Sequence, residues 1–303
     1  MPKVSVILTC YNHKEFIWEA IKSVVNQTFS DRELLIWDDS PDNVTWEIIQ
    51  EYIKMCNVSY PKKIQAWHHE ENKWIIRNME FLIWKSKWNY IVTLEGDDVL
   101  YEDYWDKKLE IFDRMADVML VYNELDIINS KWAITSKCFL KNNRKILKFY
   151  EWEKVIKEDF FNSFTIPYFS WSTIMFDRRV LSGIWIWVQW MHPFNIISDY
   201  NFFLRVWVEY PIYWIEKSLT KYRVHENNIT NNWNFRLVFD LYNLFSLYKK
   251  SWFISDEIRK RISTRYLRVI CYESYKNMIK ISSKESFINL WKYIYLKIFK
   301  NRF

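Results

Sequence analysis

What most constrains this chain is the punctuation of its first hundred residues. Short apolar strands alternate with amphipathic helices, and two of the strands end in grouped carboxylates. Val4 to Leu8 reads as a strand and about Lys14 to Asn26 as a helix. Glu33 to Ile36 reads as a second strand, ending at Asp38-Asp39. The turn Ser40-Pro41-Asp42-Asn43 follows, where Asn43 or Thr45 can cap a helix running to about Met55. Lys63 to Trp67 is a third strand, residues 75 to 86 a third helix, and Tyr90 to Leu94 a fourth strand ending at Glu95. Repeated strand–helix units predict an α/β fold with a doubly wound, mostly parallel sheet covered on both faces. Ligands bind such sheets beyond the carboxyl ends of the strands. Asp38-Asp39 and Glu95-Gly96-Asp97-Asp98 both lie there.

The middle, about 115 to 225, mixes short strands and helices. Beyond Asn231 the pattern turns helical: Ile258, Ile262, Tyr266, Val269 and Tyr272 recur at spacings of three and four, as do Phe287, Leu290, Ile294 and Ile298. The expected division is therefore a body over 1–230 and a basic amphipathic helical region over 231–303. From Lys249 onward, 14 Lys/Arg face 4 Asp/Glu, whereas the first 248 residues carry 29 against 33. Such a tail is either a solvated basic face or a peripheral contact with an anionic membrane. Nucleic acid is not the expected partner, because the basic charge lies away from the acidic strand ends. No apolar run approaches the roughly 20 residues of a membrane span. The start lacks a signal-peptide pattern, and Cys10, Cys56, Cys138 and Cys271 are scattered like reduced thiols. The expected location is cytoplasmic, with peripheral contact at the inner face of the plasma membrane.

Two glycines in 303 residues are far too few, since average usage of about 7% predicts roughly 21. The chain instead has 19 Trp. Trp74 opens a helix just after Glu71-Asn72-Lys73, and Trp88 lies between a helix and a strand, at junctions that often need φ > 0. Trp171, Trp185, Trp187, Trp207 and Trp214 also fall near expected turns or element ends. This is the pattern of a gene that uses UGA for glycine, written here as Trp. Trp46 and Trp105 sit in helix-like surroundings and read as genuine. The alternative is a truly Trp-rich protein with sugar-stacking aromatics.

Three carboxylates in the four residues Glu95-Gly96-Asp97-Asp98 repel one another, and a divalent cation relieves the repulsion. Mg²⁺ or Mn²⁺, which take oxygen ligands and keep waters or substrate phosphates, suit such a turn. Gly96 is expected to let the backbone turn tightly.

These segments resemble the family 2 glycosyltransferases of GT-A fold. VSVILTCYNHKEFI…AIKSVVNQTF is similar to that family's first strand and helix, and ELLIWDDSPDNVT to its nucleobase-binding segment. NKWIIRN resembles its N-x-G…R-N stretch and KWNYIVTLEGDDVL its G-x-Y-I…D-x-D-D stretch. ISDYNFFLRV and KYRVH carry the likeness to about residue 230. The departures are Trp74 and Trp88 at family glycine positions and Glu95 where Asp is usual.

The resemblance implies a nucleotide-sugar-dependent, inverting enzyme. It places Thr9, Tyr11 and Asn12 beside the nucleotide, and Asp38 and Asp39 at the base or ribose. Arg77 would lie near the nucleotide, with Asn78 bracing the loop. Glu95 and Asp97 match the D-x-D pair that meets ribose and the diphosphate-bound metal, with Asp98 supporting it. Arg223 and His225 offer groups for diphosphate and metal, giving Asp97, Asp98 and His225 as expected metal residues. Asp199 matches the catalytic base; the alternative is an acid favoured by a helix N-terminus. Ser170-Trp171-Ser172-Thr173 is expected on the acceptor side, and His68-His69 in a loop. The donor would be a UDP-sugar and the acceptor a hydroxyl of a surface glycan or lipid-linked intermediate. The alternative function is an inactive homologue or a carbohydrate-binding protein.

Overall fold

The structure is a computed structural model that describes residues 4–28, 31–56, 63–69, 71–142, 170–184 and 198–228. The chain divides into two compact units, Met1–Asn232 and Trp233–Phe303. The second unit, and the helices expected over 231–303, lie outside the described residues.

The first half is the expected alternation. Strands β1 (Val4–Cys10), β2 (Arg32–Asp38), β3 (Ile64–His68) and β4 (Tyr90–Glu95) alternate with helices α1 (Ile17–Val25), α2 (Asn43–Cys56) and α3 (Ile75–Lys85). All pairings among these strands are parallel, in the order β3-β2-β1-β4. Successive side chains of a strand point to opposite faces. Val4, Val6 and Leu8 thus join Leu34, Ile36, Val92 and Leu94 in one core with Ile17, Ala20, Ile21 and Val24 of α1. Ile7 and Leu35, the alternate positions, are also buried, and α3 packs on β1 and β2. At the start of α2 the Val44 amide donates to Asp42 Oδ1 at 3.2 Å. Asp42 thus supplies the acceptor expected from Asn43 or Thr45.

The second half is largely antiparallel. It contains β5 (Val99–Leu100), α4 (Tyr104–Arg114), β6 (Leu120–Asn129), β7 (Ile134–Ser136) and α5 (Phe139–Asn142). A 3₁₀ turn (Trp171–Thr173), β8 (Ile174–Asp177), α6 (Val180–Ile184), α7 (Ser198–Glu209) and β9 (Ile212–Val224) follow. Among the described residues one sheet runs β3-β2-β1-β4-β8-β6-β9-β5, with β7 paired to β6. β8 enters antiparallel to both β4 and β6, while β6 and β9 are parallel. The purely parallel character therefore stops at β4. Buried Lys108 of α4 donates to the carbonyls of Val121 (3.2 Å) and Thr173 (2.6 Å), tying the 3₁₀ turn to β6.

Positive φ occurs at Asn12 (59°), Trp74 (71°), Trp132 (69°) and Cys138 (46°) among the described residues. Trp74 matches the expectation from sequence, and Trp132 was not marked by it. Trp88 does not have positive φ. Trp171 opens the 3₁₀ turn, Trp207 lies two residues before the end of α7 and Trp214 two residues after the start of β9, while Trp185 and Trp187 lie outside the described residues. Trp46 and Trp105 lie on helices, Trp105 fully buried. No helix among the described residues is long and apolar enough to cross a membrane.

Candidate functional site

The parallel strands deliver their carboxyl ends to one place. β4 ends at Glu95, and the chain turns as the Asp98 amide donates to Glu95 O at 3.1 Å. The Gly96 amide donates to Thr9 O at 2.9 Å, which joins the turn to the end of β1. Gly96 does not have positive φ, so the turn does not need its conformational freedom. It needs its lack of a side chain: a Cβ there would stand 2.9 Å from His13 Nδ1 and 3.2 Å from Cys10 Sγ.

The site converges on Asp97 Oδ2. His225 Nε2 is 3.0 Å from it, Asn228 Nδ2 3.3 Å and His13 Nε2 3.8 Å. Buried Asp98 is committed elsewhere. Its Oδ1 accepts the Arg223 amide at 2.9 Å and its Oδ2 the Ser170 hydroxyl at 3.3 Å. Ser172 Oγ accepts the Glu95 amide at 3.0 Å, and Ser170 Oγ lies 3.4 Å from Glu95 Oε2. Residues 170–173 are buried, so they brace the acidic turn from within instead of lining an acceptor surface.

The three carboxyls do not share charge equally. Burial pushes Glu95 well above the usual carboxylate range, and the charges of Asp97, Asp98 and Asp199 push it further. Burial, then the charge of Asp97, does the same to Asp98. Burial also raises Asp97, but His13 and His225 outweigh it and hold Asp97 below its ordinary value. Of the three, Asp97 is the one held below its ordinary value. Asp199 stands in the first turn of α7, partly buried, close enough for its charge to act on Glu95. The fold thus brings the expected base to the acidic turn from about a hundred residues downstream.

Arg223 is a correction to the sequence reading. Its side chain is fully buried instead of reaching towards a diphosphate. Its Nη2 donates to Glu19 Oε2 at 2.6 Å, its Nε to Asp97 O at 2.7 Å and its Nη1 to Asn129 O at 3.3 Å. The rings of Trp132 and Phe16 lie 4.2 and 4.6 Å from the guanidinium. Arg223 therefore positions the Asp97–Asp98 backbone from β9.

The Asp38-Asp39 pair is also buried. Asp38 accepts the Ser40 amide at 3.1 Å and lies 3.0 Å from His68 Nδ1. Asp39 accepts Trp37 Nε1 (2.6 Å), the Lys73 amide (2.8 Å) and Asn78 Nδ2 (2.6 Å). Both carboxylates shape the end of β2 from beneath. Tyr11 and Asn12 are exposed just beyond β1, and the Asn12 amide donates to Ser40 Oγ at 2.8 Å. Thr9 is buried, and Arg77 is exposed on the first turn of α3.

Sequence reasoning missed Glu19, Asn228 and His13, and it expected His68 in a loop. His68 ends β3 and stacks on Trp46, 5.3 Å between ring centroids. Glu19 and Asn228 reach the site only through tertiary contacts. His13 had one available signal, its place just beyond the carboxyl end of β1. Among the described residues, two sets of donors have ligand atoms within 4.8 Å of one another: His13, Asp97 and His225, and Glu95, Asp97 and Asp98.

Comparison with known proteins bears on the family and the fold. The family model described as Glycosyl transferase family 2 matches residues 5–185. An uncharacterized glycosyltransferase of Methanocaldococcus jannaschii is 28% identical over 232 residues, covering 74% of this chain and 71% of its own length. The putative teichuronic acid biosynthesis glycosyltransferase TuaG of Bacillus subtilis is 29% identical over 109 residues. That match covers 36% of this chain and 41% of the relative, less than half of its length. The crystal structure of S. aureus TarS 1–349 in complex with UDP superposes with a TM-score of 0.64 at 15% identity, covering 95% of this chain and 78% of that one. The fold is the α/β, GT-A-type arrangement.

Proposed function

The chain belongs to glycosyl transferase family 2, and on that premise we propose an inverting transfer of a sugar from a UDP-sugar to a hydroxyl of a surface-glycan or lipid-linked acceptor. The observation that carries this reading is the convergence of His225, Asn228 and His13 on Asp97 at the carboxyl ends of parallel strands, where the charge of Asp199 also acts on Glu95. A relative named for teichuronic acid biosynthesis supports the envelope acceptor, and a structural neighbour holding UDP supports the donor.

The donor set fits a divalent ion, Mg²⁺ or Mn²⁺, because carboxylate oxygen and imidazole nitrogen converge on one point. Asp97 and His225 would hold it, with Glu95 and the braced Asp98 adjacent. When bound, it neutralises charge developing on the departing nucleoside diphosphate. The other roles belong to the chain. Tyr11, Asn12 and Arg77 form the nucleotide-facing surface, shaped from beneath by Thr9, Asp38 and Asp39. Glu95, set by Ser170 and Ser172, faces the ribose. Asp199 removes the acceptor hydroxyl's proton as its oxygen attacks the anomeric carbon. One base and one displacement invert the anomeric configuration.

Purified protein given a panel of UDP-sugars with Mn²⁺ should release UDP steadily. EDTA should drop the rate to background, and added Mn²⁺ should restore it. Equal rates with and without EDTA would remove the ion from the mechanism. Sugar binding with no UDP release would favour the carbohydrate-binding alternative. For the 231–303 region we propose peripheral contact with anionic lipid at the cytoplasmic face, on the charge asymmetry alone.

We also propose that Trp74 and Trp132 stand at glycine positions read from UGA. Trp74 has φ 71° and ψ 145°, next to a region that is essentially restricted to glycine and costs other residues about 1–3 kcal/mol. It is 50% exposed, so losing the buried half of the indole offsets relief of that strain. Trp74→Gly should therefore leave stability within about 1 kcal/mol in chemical denaturation, far short of the usual cost of truncating a buried Trp. In tryptic digests of protein from its native host, the peptide from Trp74 to Arg77 should carry the mass of GIIR. The mass of WIIR would overturn the proposal.

A further inference from the structure

Resting on the proposed metal-dependent reading, we infer that His13 is a third protein ligand of the divalent ion. Together with Asp97 and His225 it makes a two-imidazole, one-carboxylate set that selects Mn²⁺ over Mg²⁺. Three observations carry this. First, His13 Nε2 lies 3.8 Å from the same Asp97 Oδ2 that His225 Nε2 approaches at 3.0 Å. The ligand atoms of all three fall within 4.8 Å of one another. Neighbouring ligands on a six-coordinate ion with bonds near 2.1 Å stand about 3.0 Å apart, and opposite ones about 4.2 Å. The set therefore needs only small side-chain movement to close on one ion.

Second, the backbone holds His13 in place. Its carbonyl accepts the amides of Phe16 (2.9 Å) and Ile17 (2.8 Å) at the entry to α1. Third, the acidic turn makes room for the ring. One of only two glycines in the chain stands at position 96, where any Cβ would press on His13 Nδ1 at 2.9 Å. Because Gly96 does not have positive φ, this space is what its missing side chain provides. Nδ1 itself is buried without a hydrogen-bond partner among the described residues, so the polar edge turned to the site is Nε2. The rings of His13 and His225 meet edge to face, 6.1 Å between centroids, around the carboxylate.

The chemistry follows from the donors. Mg²⁺ prefers oxygen and gives up water reluctantly, whereas Mn²⁺, although the weakest-binding of the first-row divalent ions and itself at home with oxygen, accepts imidazole at less cost than Mg²⁺ does. A site with two imidazoles discards most of the advantage that an all-oxygen turn would give Mg²⁺. His13 thereby acts as a specificity-determining ligand.

The test uses the full chain with Mn²⁺ or Mg²⁺ and UDP. Pulsed electron spin resonance of the Mn²⁺ complex should show couplings from two imidazole nitrogens, falling to one in His13→Gln. Wild type should bind Mn²⁺ at least about tenfold tighter than Mg²⁺. His13→Gln should lower Mn²⁺ affinity by about tenfold or more while leaving Mg²⁺ within about twofold. Gly96→Ala, which displaces the ring without touching a ligand, should reproduce that loss. One nitrogen coupling in the wild type, or equal Mn²⁺ affinity in wild type and His13→Gln, would overturn the inference. Asp97→Asn separates the two levels of the argument. If it weakens both ions while His13→Gln weakens neither, His13 is no ligand but the metal-dependent reading stands. If it weakens neither ion, that reading fails, and this inference with it.

Discussion

Asp199→Asn should lower the rate of transfer by about 10²- to 10⁴-fold while leaving UDP-sugar affinity within about twofold. Asparagine keeps the size and hydrogen-bonding reach of the side chain but accepts no proton, so only the step that needs a base suffers. The competing role for Asp199 is electrostatic. An acid in the first turn of a helix is stabilised by the macrodipole, by typically 0.3–1 kcal/mol. That role predicts a small fall in melting temperature and unchanged turnover. The two readings differ in what moves, so single-turnover kinetics and calorimetric donor binding on one variant decide between them. A second consequence comes from the geometry of the turn. The Asp199 charge contributes to raising Glu95, so its removal should ease Glu95 back towards the ordinary carboxylate range. Full turnover in Asp199→Asn would end its assignment as the base.

The parts of the fold that were legible in sequence are those whose burial is written locally. Strands buried on both faces read as continuous apolar runs, and β1 to β4 lie within about two residues of where those runs place them. The grouped acids were legible as a site because they stand at strand carboxyl ends, which a parallel sheet collects in one place. The second half was not legible, because the pairing of β8 between β4 and β6 is a non-local choice that no window of sequence contains. The same limit explains Arg223. Its residue type suggested a diphosphate, but its direction depends on the sheet. Adjacent strand residues face opposite ways; here Arg223 is the inward one and Val224 is 40% exposed. The inward position is satisfied by Glu19, 204 residues away in sequence, together with the carbonyls of Asp97 and Asn129. His225 was identifiable as a candidate ligand by type. The convergence of His13 and Asn228 on the same oxygen was not, since it arises where residues just beyond β1 and β9 both reach Asp97.

Asp97→Ala should abolish transfer and weaken donor binding together, which separates it from Asp199→Asn. Asp97 is the carboxylate held below its ordinary value, and both imidazoles converge on it. Its loss would remove the negative charge that holds the ion, and with it the cation that would neutralise the diphosphate in both the ground state and the transition state. Stabilisation of several kcal/mol is at stake, or roughly 10³-fold or more in rate. Adding excess Mn²⁺ should not restore it. The substitution also leaves His225 and Asn228 without their carboxylate partner in a buried setting, a loss of about 1–3 kcal/mol of stability. Asp97→Asn keeps an acceptor oxygen for those neighbours and should fold more nearly like the wild type. It should nonetheless match Asp97→Ala in lost donor affinity, because the missing charge and not the missing shape is responsible. Asp98→Asn makes the contrast, since Asp98 is buried and already accepts Arg223 and Ser170. Its effect should fall mainly on stability, with donor affinity largely retained. Equal loss of donor affinity in Asp97→Asn and Asp98→Asn would mean that the acidic turn acts as a unit; loss in Asp97→Asn alone would locate the charge that matters on one carboxylate.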